Sequence, residues 1–533
     1  APATRGPGEF FGRGRGGGPL ERPTAEGVGR GAGYIAGSNM ITSLIAFAFY
    51  AAAARILGPR GMGEVTMLFL VIGLYTAVSL MGANYAAARF AAYHMGAGGR
   101  GRALGAIARS MELAMMGSAA ALAAMAAASP LISRALGIPE GLVLLGLAAG
   151  LASNAGSALG GALQGLAMYG DISIQSIIAS ALSRLPAIAL AIPLGPAGVA
   201  IAWALGPAAG AAYAAIRLRG RLGGMGAADP VGLREVLGFS APLYALSVIS
   251  FLQGWLGISF LYAVSGSLEV TGAYYVASAS AGILGILYGA LSTALLPAMS
   301  FRFGESGRRG VAEALRSAEG LVVYATLTVS LAAAAASRPL LHLFYGRAYA
   351  AYAPEFAVLA GAAVVGALSS LYGTSLQSMG MTREWLIAGG ASVGVLFASL
   401  AALAPSLGAM GVALSAVMGS FSSLAVAYGF VRRLAGHSIS LHPRKLAFSA
   451  SVGAAVALAQ LASGSMPLPL NVLADAAAFA AAFLVLSRAV RPLEPWEASV
   501  LVGALPGPLR PLARAILAPR SQRRLARPGA RIP

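Results

Sequence analysis

Leu163-Gln164 and Leu194-Gly195-Pro196-Ala197-Gly198-Val199-Ala200 recur as Leu376-Gln377 and Leu407-Gly408-Ala409-Met410-Gly411-Val412-Ala413, and Gly206 finds Gly419. Every one of these recurrences lies 213 residues downstream, with no gap between them. Each copy consists of two apolar runs joined at a Leu-Gly-x-x-Gly-Val-Ala turn. Similarity at a fixed offset over hundreds of residues predicts two structurally equivalent halves. In membrane proteins, paired halves usually enclose a substrate path at their interface.

Composition places those halves in a bilayer. Hydrophobic residues make up 58% of the 533-residue chain and charged residues 10%, against roughly 25% charged in a soluble domain. That is too little charge to solvate a globular surface of this size. The apolar runs of about 20 residues are each long enough to cross about 30 Å of hydrocarbon as a helix. They lack the polar/apolar alternation of a transmembrane β-barrel. With no cysteine there is no disulfide, thiol catalysis or thiolate metal site. The four histidines are scattered singly, so no His-based metal site is expected.

Residues 1–32 are rich in Gly, Arg and Pro, carry no apolar core of a cleavable signal, and read as a disordered cytoplasmic tail. Six spans over 33–216 form a first lobe, 217–235 a basic linker with Gly-Gly and Asp-Pro breakers, and six spans over 236–433 a second lobe. Two more spans within 434–490 precede a basic tail, 491–533. The expected fold is therefore an all-α polytopic membrane protein of about 14 transmembrane helices: two pseudo-symmetric six-helix lobes plus two C-terminal helices. With the N-terminus inside, the outer side receives only Arg55, Arg60, Arg134, Arg338 and Arg347. Arg184 lies within a span, and the rest of the 37 Lys and Arg fall on the cytoplasmic side. Both termini are accordingly placed in the cytoplasm, and the net charge of +19 marks the inner membrane face rather than nucleic acid.

Several stretches resemble the polysaccharide-biosynthesis flippases of the multidrug/oligosaccharidyl-lipid/polysaccharide (MOP) exporter superfamily. Ala54-Arg55-Ile56-Leu57-Gly58-Pro59-Arg60-Gly61-Met62-Gly63 is similar to the family's Ala-Arg-Leu-Leu-Gly-Pro-x-x-Phe-Gly signature. Gly272 to Ala277 resembles its Gly-x-Tyr-x-x-Ala, and Leu296 to Ser300 its Leu-Pro-x-x-Ser. Phe344 to Tyr349 matches its Phe-x-Gly-x-x-Tyr, and both Leu-Gly-x-x-Gly-Val-Ala turns have counterparts there. The resemblance covers about 33–433. It implies a flippase carrying a lipid-linked oligosaccharide, on a polyprenyl phosphate or diphosphate, to the outer leaflet of a prokaryotic plasma membrane. Around Gly257, where many members carry an acid, the run Gly254 to Ile258 is uncharged and offers no carboxylate for cation coupling.

Such a substrate needs a hydrated cavity for sugar, cations for phosphate and a lateral opening for the tail; arginine suits phosphate by its forked geometry. Arg184 is the sharpest candidate, since an unpaired charge inside a span costs about 2.5–3.5 kcal/mol and normally faces a cavity or a partner. Substrate contact and an ion pair with Glu64 or Asp171 both remain open for it. Arg55 either binds substrate or snorkels to the interface. Arg89 either meets incoming phosphate or anchors the inner end of its span, and Arg347 is a cavity or outer-loop charge. Asn39, Asn84, Gln164 and Gln253 would line a sugar-compatible cavity or make interhelical hydrogen bonds. Anionic membrane lipids are the expected partners of the C-terminal arginines, no nucleic acid or cofactor is expected, and the chain is expected to act as a monomer.

The competing readings are weaker. A multidrug exporter of the same superfamily would want intramembrane carboxylates, and the acids within spans are few, chiefly Glu112, Glu313 and Asp475 near their ends. A membrane glycosyltransferase or polymerase would want clustered acids; the only aspartates, Asp171, Asp229 and Asp475, are far apart in the chain.

Overall fold

The computed structural model describes residues 25–223, 227–439, 442–494 and 497–498, and every regular element among them is helical. The first half runs α1 (Ala25–Ser79), α2 (Ala83–Gly96), α3 (Arg100–Ala127), α4 (Ser129–Leu136), α5 (Glu140–Gly165), α6 (Tyr169–Leu194) and α7 (Pro196–Leu222). The second begins with α8 (Leu233–Ser265), α9 (Leu268–Ile283), α10 (Ile286–Ala335) and α11 (Ser337–Tyr345). A 3-10 turn (Arg347–Tyr352), α12 (Ala353–Gly361), α13 (Ala363–Ser378), α14 (Thr382–Leu407) and α15 (Ala409–Ala435) complete it. Then come α16 (Pro443–Ser463) and α17 (Leu468–Ala489). Helix α1 starts inside the stretch expected to be a tail, while residues 1–24 and the basic tail beyond Ala498 lie outside the described residues.

Among the described residues, twelve segments are long and apolar enough to cross a membrane. The difference from the expected fourteen is one of kinks. The first two spans share α1, whose two legs meet at Gly58 (φ 67°, ψ 179°). The eighth is broken at Leu284-Gly285 between α9 and the first leg of α10, which bends again at Gly307 (φ 62°). A left-handed backbone at these bends favours glycine, which has no Cβ to clash.

The repeat foreseen at the 213-residue offset extends to the helix ends. Helices α6 and α14 are both 26 residues long, α7 and α15 both 27, and each pair begins and ends at that offset. The turns between them share a backbone, Gly195 at φ 58°, ψ −140° and Gly408 at φ 55°, ψ −129°. Earlier in each half the offset is different. Gly58 answers to Gly266, and the α3–α4 junction at Ala128 to the α10–α11 junction at Ala336, both 208 residues apart. The second half has therefore gained five residues between Ala336 and Ala353, at α11 and the 3-10 turn that follows it.

Apolar packing divides the molecule lengthwise. At the end carrying Gly58, one continuous core draws on both halves, from Phe49, Val65 and Tyr75 through Leu147 and Val199 to Leu261, Val276, Tyr349 and Leu400. At the opposite end, next to the linker, the core splits. The first half packs around Phe90, Leu113 and Leu163, in clusters that also take in Val231 of the linker and Val236 at the start of α8, and the later helices of the second half form a separate one around Leu315, Tyr372 and Val431. The halves thus share one core at the Gly58 end, while at the linker end the start of α8 packs with the first half and the later helices pack apart from it. Helix α8 bridges them: Arg89 and Phe90 of α2 pack on Phe239 near its start, whereas Gly257 in its later part packs on Val412 of α15.

Small residues make the joint core possible. A Cβ added to Gly63 would collide with the Leu268 backbone carbonyl, and one on Gly272 with the carbonyl of Pro59. Without hydration to drive helices together in lipid, such backbone approach supplies the packing. We predict that Gly272→Leu lowers the thermal midpoint of the purified protein, since overpacking of this kind costs about 1–3 kcal/mol. Gly429→Ala, where a Cβ meets open space, serves as the comparison; equal midpoints would refute the close-packed joint.

Candidate functional site

An aromatic cluster from both halves lies where the joint core ends. Phe49 and Tyr50 come from the first leg of α1, Phe69 from its second leg and Trp203 from α7; Trp255 of α8 and Tyr275 of α9 face them. Trp203 packs against Phe49 and Phe69 at 4.9 and 4.6 Å between ring centroids, and Trp255 stacks on Tyr275 at 5.8 Å. The Tyr50 and Tyr275 hydroxyls hydrogen-bond at 3.0 Å across the boundary between the halves.

Arg184 enters this cluster from α6. Its guanidinium lies 5.3 Å from the Trp203 ring centroid, in cation–π range, and within electrostatic reach of the Tyr50 and Tyr275 hydroxyls. Nη1 donates to Ser180 Oγ at 2.6 Å, one turn back, while the buried Nε has no hydrogen-bond partner among the described residues. No carboxylate pairs with it there. Asp171, one of its two candidate partners, accepts instead from Arg217 Nε at 2.7 Å and the Tyr213 hydroxyl at 2.8 Å. Glu64, the other, is half-buried with no ion pair among the described residues. A guanidinium with an unspent donor over an aromatic face is chemically suited to a phosphate beside a sugar ring.

Gln253 is also a neighbour of Tyr275: with Gly254, Gly257, Tyr275, Ser278 and Val412 it lines a cavity of about 420 Å³ in the second half. Arg184 and Gln253 are thus two candidates that share Tyr275 as a neighbour.

Arg55 is held elsewhere. Its guanidinium donates to the carbonyls of Phe344, at 3.0 Å, and Leu343. Those carbonyls belong to the last turn of α11 and have no partner within it, and a cation is favoured at that negative helix end. Tyr349, in the 3-10 turn, donates back to the Ala54 carbonyl at 3.1 Å, and Phe47 meets Phe344 edge to face at 4.8 Å. Together they latch α1 to the second half at the Gly58 end.

The other candidates are dispersed. Asn39 is exposed on α1. Asn84 packs by its backbone against Gly161, with its side-chain oxygen buried and unpartnered. Gln164 is exposed at the linker end, as is Arg89, which lies 4.1 Å from the Phe239 ring centroid. Arg347 lines a separate cavity at the Gly58 end.

Sequence reasoning missed a second polar cluster in the linker end of the second half. Fully buried Glu319 of α10 accepts from the Tyr372 hydroxyl at 3.0 Å and pairs with His437 Nε2 at 3.2 Å. Close by, buried Lys445 pairs with Glu497. Burial and the Lys445 ammonium push the neighbouring His442 imidazole below its ordinary range, so it is uncharged at neutral pH. Charges buried this deeply persist only when paired and hydrogen-bonded. Glu319 and His437 are 118 residues apart, with no motif to link them.

The architecture is that of MOP-superfamily transporters. An inward-facing multidrug resistance MATE family transporter of that superfamily superposes with a TM-score of 0.58 at 17% identity, over 74% of this chain and 94% of its own. The outward-facing form of a MATE family transporter gives 0.59 at 18% identity, over 78% and 96%. A MOP-superfamily transporter from Pyrococcus furiosus Vc1 (DSM3638), in which reverse polarity of the binding pocket suggests a different function, gives 0.58 at 18%, over 76% and 95%. No curated protein matches the sequence. A family profile described as polysaccharide biosynthesis protein matches residues 28–302, and the chain belongs to that family.

The latch yields a measurement. The chain has no native cysteine, so Phe47→Cys and Phe344→Cys place one reporter thiol on each side. A short bifunctional thiol reagent should join them efficiently, and adding Arg55→Ala should lower the yield several-fold. An unchanged yield would show that Arg55 does not hold the halves together.

Proposed function

We propose that the protein flips a lipid-linked oligosaccharide, carried on a polyprenyl phosphate or diphosphate, from the inner to the outer leaflet by alternating access. The observation that carries this reading is Arg184: a half-buried guanidinium without a carboxylate partner among the described residues, set over the Trp203 ring and within electrostatic reach of the Tyr50 and Tyr275 hydroxyls, one from each half. In this scheme Arg184 holds the phosphate, Trp203, Trp255 and Tyr275 offer faces for sugar stacking, and Gln253 accepts or donates to hydroxyls. The polyprenyl tail stays in lipid beside the opening between the halves.

The basic residues support an orientation with both termini in the cytoplasm of a prokaryotic plasma-membrane protein. The Gly58 end then faces outward, and the shape described is closed outside and separated toward the cytoplasm. The cycle requires the latch of Arg55 and Tyr349 to release while the linker ends approach. Membership of the family and kinship with transporters support transport rather than catalysis. Drug export is the reading suggested by the MATE-type neighbours, but a guanidinium at the centre repels the organic cations such a pocket would take.

A null strain should accumulate lipid-linked glycan on the cytoplasmic face. Arg184→Ala should abolish flipping in reconstituted vesicles without lowering membrane abundance, and Arg184→Lys should restore part of it because charge returns without the fork. Normal outward translocation in the null strain, or full activity of Arg184→Ala, overturns the assignment.

A further inference from the structure

The cavity that holds Arg347 is large, about 980 Å³, and is formed between α11, the 3-10 turn and the two C-terminal helices. One wall is cationic. Arg338 and His342, one turn apart on α11, stand beside Arg347. Neither arginine has an ion-pair partner among the described residues, and no carboxylate lines the cavity. The opposite wall is amide. Gln460 of α16 and Asn471 of α17 line it, and both side-chain oxygens are buried without a hydrogen-bond partner among the described residues. Asn471 is only 5% exposed, and its nitrogen is already committed to the Ser463 carbonyl at 2.9 Å.

Two requirements follow from these walls. The arginines call for an anion with several acceptor oxygens, and the orphaned amide oxygens call for a donor on that same ligand, since leaving them unmet costs about 1–3 kcal/mol each. A phosphate ester bearing free hydroxyls meets both. The rim supplies a third constraint: Leu461 is 82% and Met466 49% exposed, and both line the same cavity. At the end of α16 and in the turn that follows it, that apolar rim suits an acyl chain rather than water.

We propose that this cavity binds the headgroup of a hydroxyl-bearing anionic phospholipid of the bilayer, with phosphatidylglycerol as the simplest example. Phosphate lies on Arg338 and Arg347, headgroup hydroxyls donate to Gln460 and Asn471, and the acyl chains run over α16 and α17. The final two helices then serve as the wall of a lipid site attached to the second half. This site does not depend on what the central cleft carries.

Native mass spectrometry of the full, delipidated chain tests it, with equimolar phosphatidylglycerol and phosphatidylcholine. The wild type should retain one phosphatidylglycerol in preference, and Arg338→Ala with Arg347→Ala should reduce its retention at least about tenfold, as expected for losing two charge-assisted contacts. Both arginines are exposed, so the double variant should keep the wild-type thermal midpoint without lipid. Arg134→Ala, which removes one positive charge from exposed α4, should retain the lipid. Asn471→Leu should narrow the preference for phosphatidylglycerol over phosphatidic acid. Equal retention of both lipids, or an unaffected double variant, overturns the proposal. Displacement by soluble glycerol phosphate at matching concentration would make the occupant a free phosphate and overturns the lipid assignment.

Discussion

Close approach of backbones at Gly63–Leu268 and Gly272–Pro59 is the constraint from which the rest of the molecule follows. It brings the second leg of α1 against α9 tightly enough for apolar side chains of both halves to merge into one core at that end. At the other end the start of α8 packs with the first half, and the later helices of the second half have a core of their own. A joint at one end and separate packing at the other give a cleft, and its closed end is where the aromatic cluster and Arg184 sit. Polar groups there are tolerable because the cleft, unlike the lipid-facing surface, admits water or a polar ligand.

The two halves are not interchangeable, and their difference is concentrated in a short stretch. The five residues gained after Ala336 create the 3-10 turn that carries Arg347 and Tyr349. Tyr349 reaches across to Ala54, and Arg55 returns two hydrogen bonds to the end of α11. An insertion in one repeat therefore supplies both part of the latch between halves and the cationic wall beneath the C-terminal helices. Each of these bonds is modest, about 0.5–1.5 kcal/mol net for a neutral pair and 1.5–3 for one to a charged group. A handful of such bonds is a sensible strength for a contact that opens in the proposed cycle.

The architecture was legible because apolar periodicity and a fixed repeat offset are local signals that survive in a single chain. The helix ends of α6, α7, α14 and α15 fall where the recurring turn predicts. The change of offset from 208 to 213 was not visible, since the residues around α4 and α11 share too little identity to register. Arg184 stood out as a charge within a span, and its aromatic surroundings did not, because Tyr50 and Tyr275 are 225 residues apart. The same holds for Glu319 and His437, which tertiary packing alone brings together. Residue type leaves Arg55 open between substrate contact and the interface, and Arg347 between cavity and outer loop; the structure places one on helix carbonyls and the other in a side cavity.

The central claim is that a polar head occupies the cleft at Arg184 while the halves remain joined at the Gly58 end. Cryo-electron microscopy in lipid nanodiscs, with a polyprenyl-diphosphate-linked oligosaccharide added, tests it most directly. Phosphate density within hydrogen-bonding distance of the Arg184 guanidinium, with sugar density against Trp203, Trp255 or Tyr275, is the predicted result. A head bound outside the cleft, or a dry seam in which Arg184 is fully engaged by protein groups, would contradict the account.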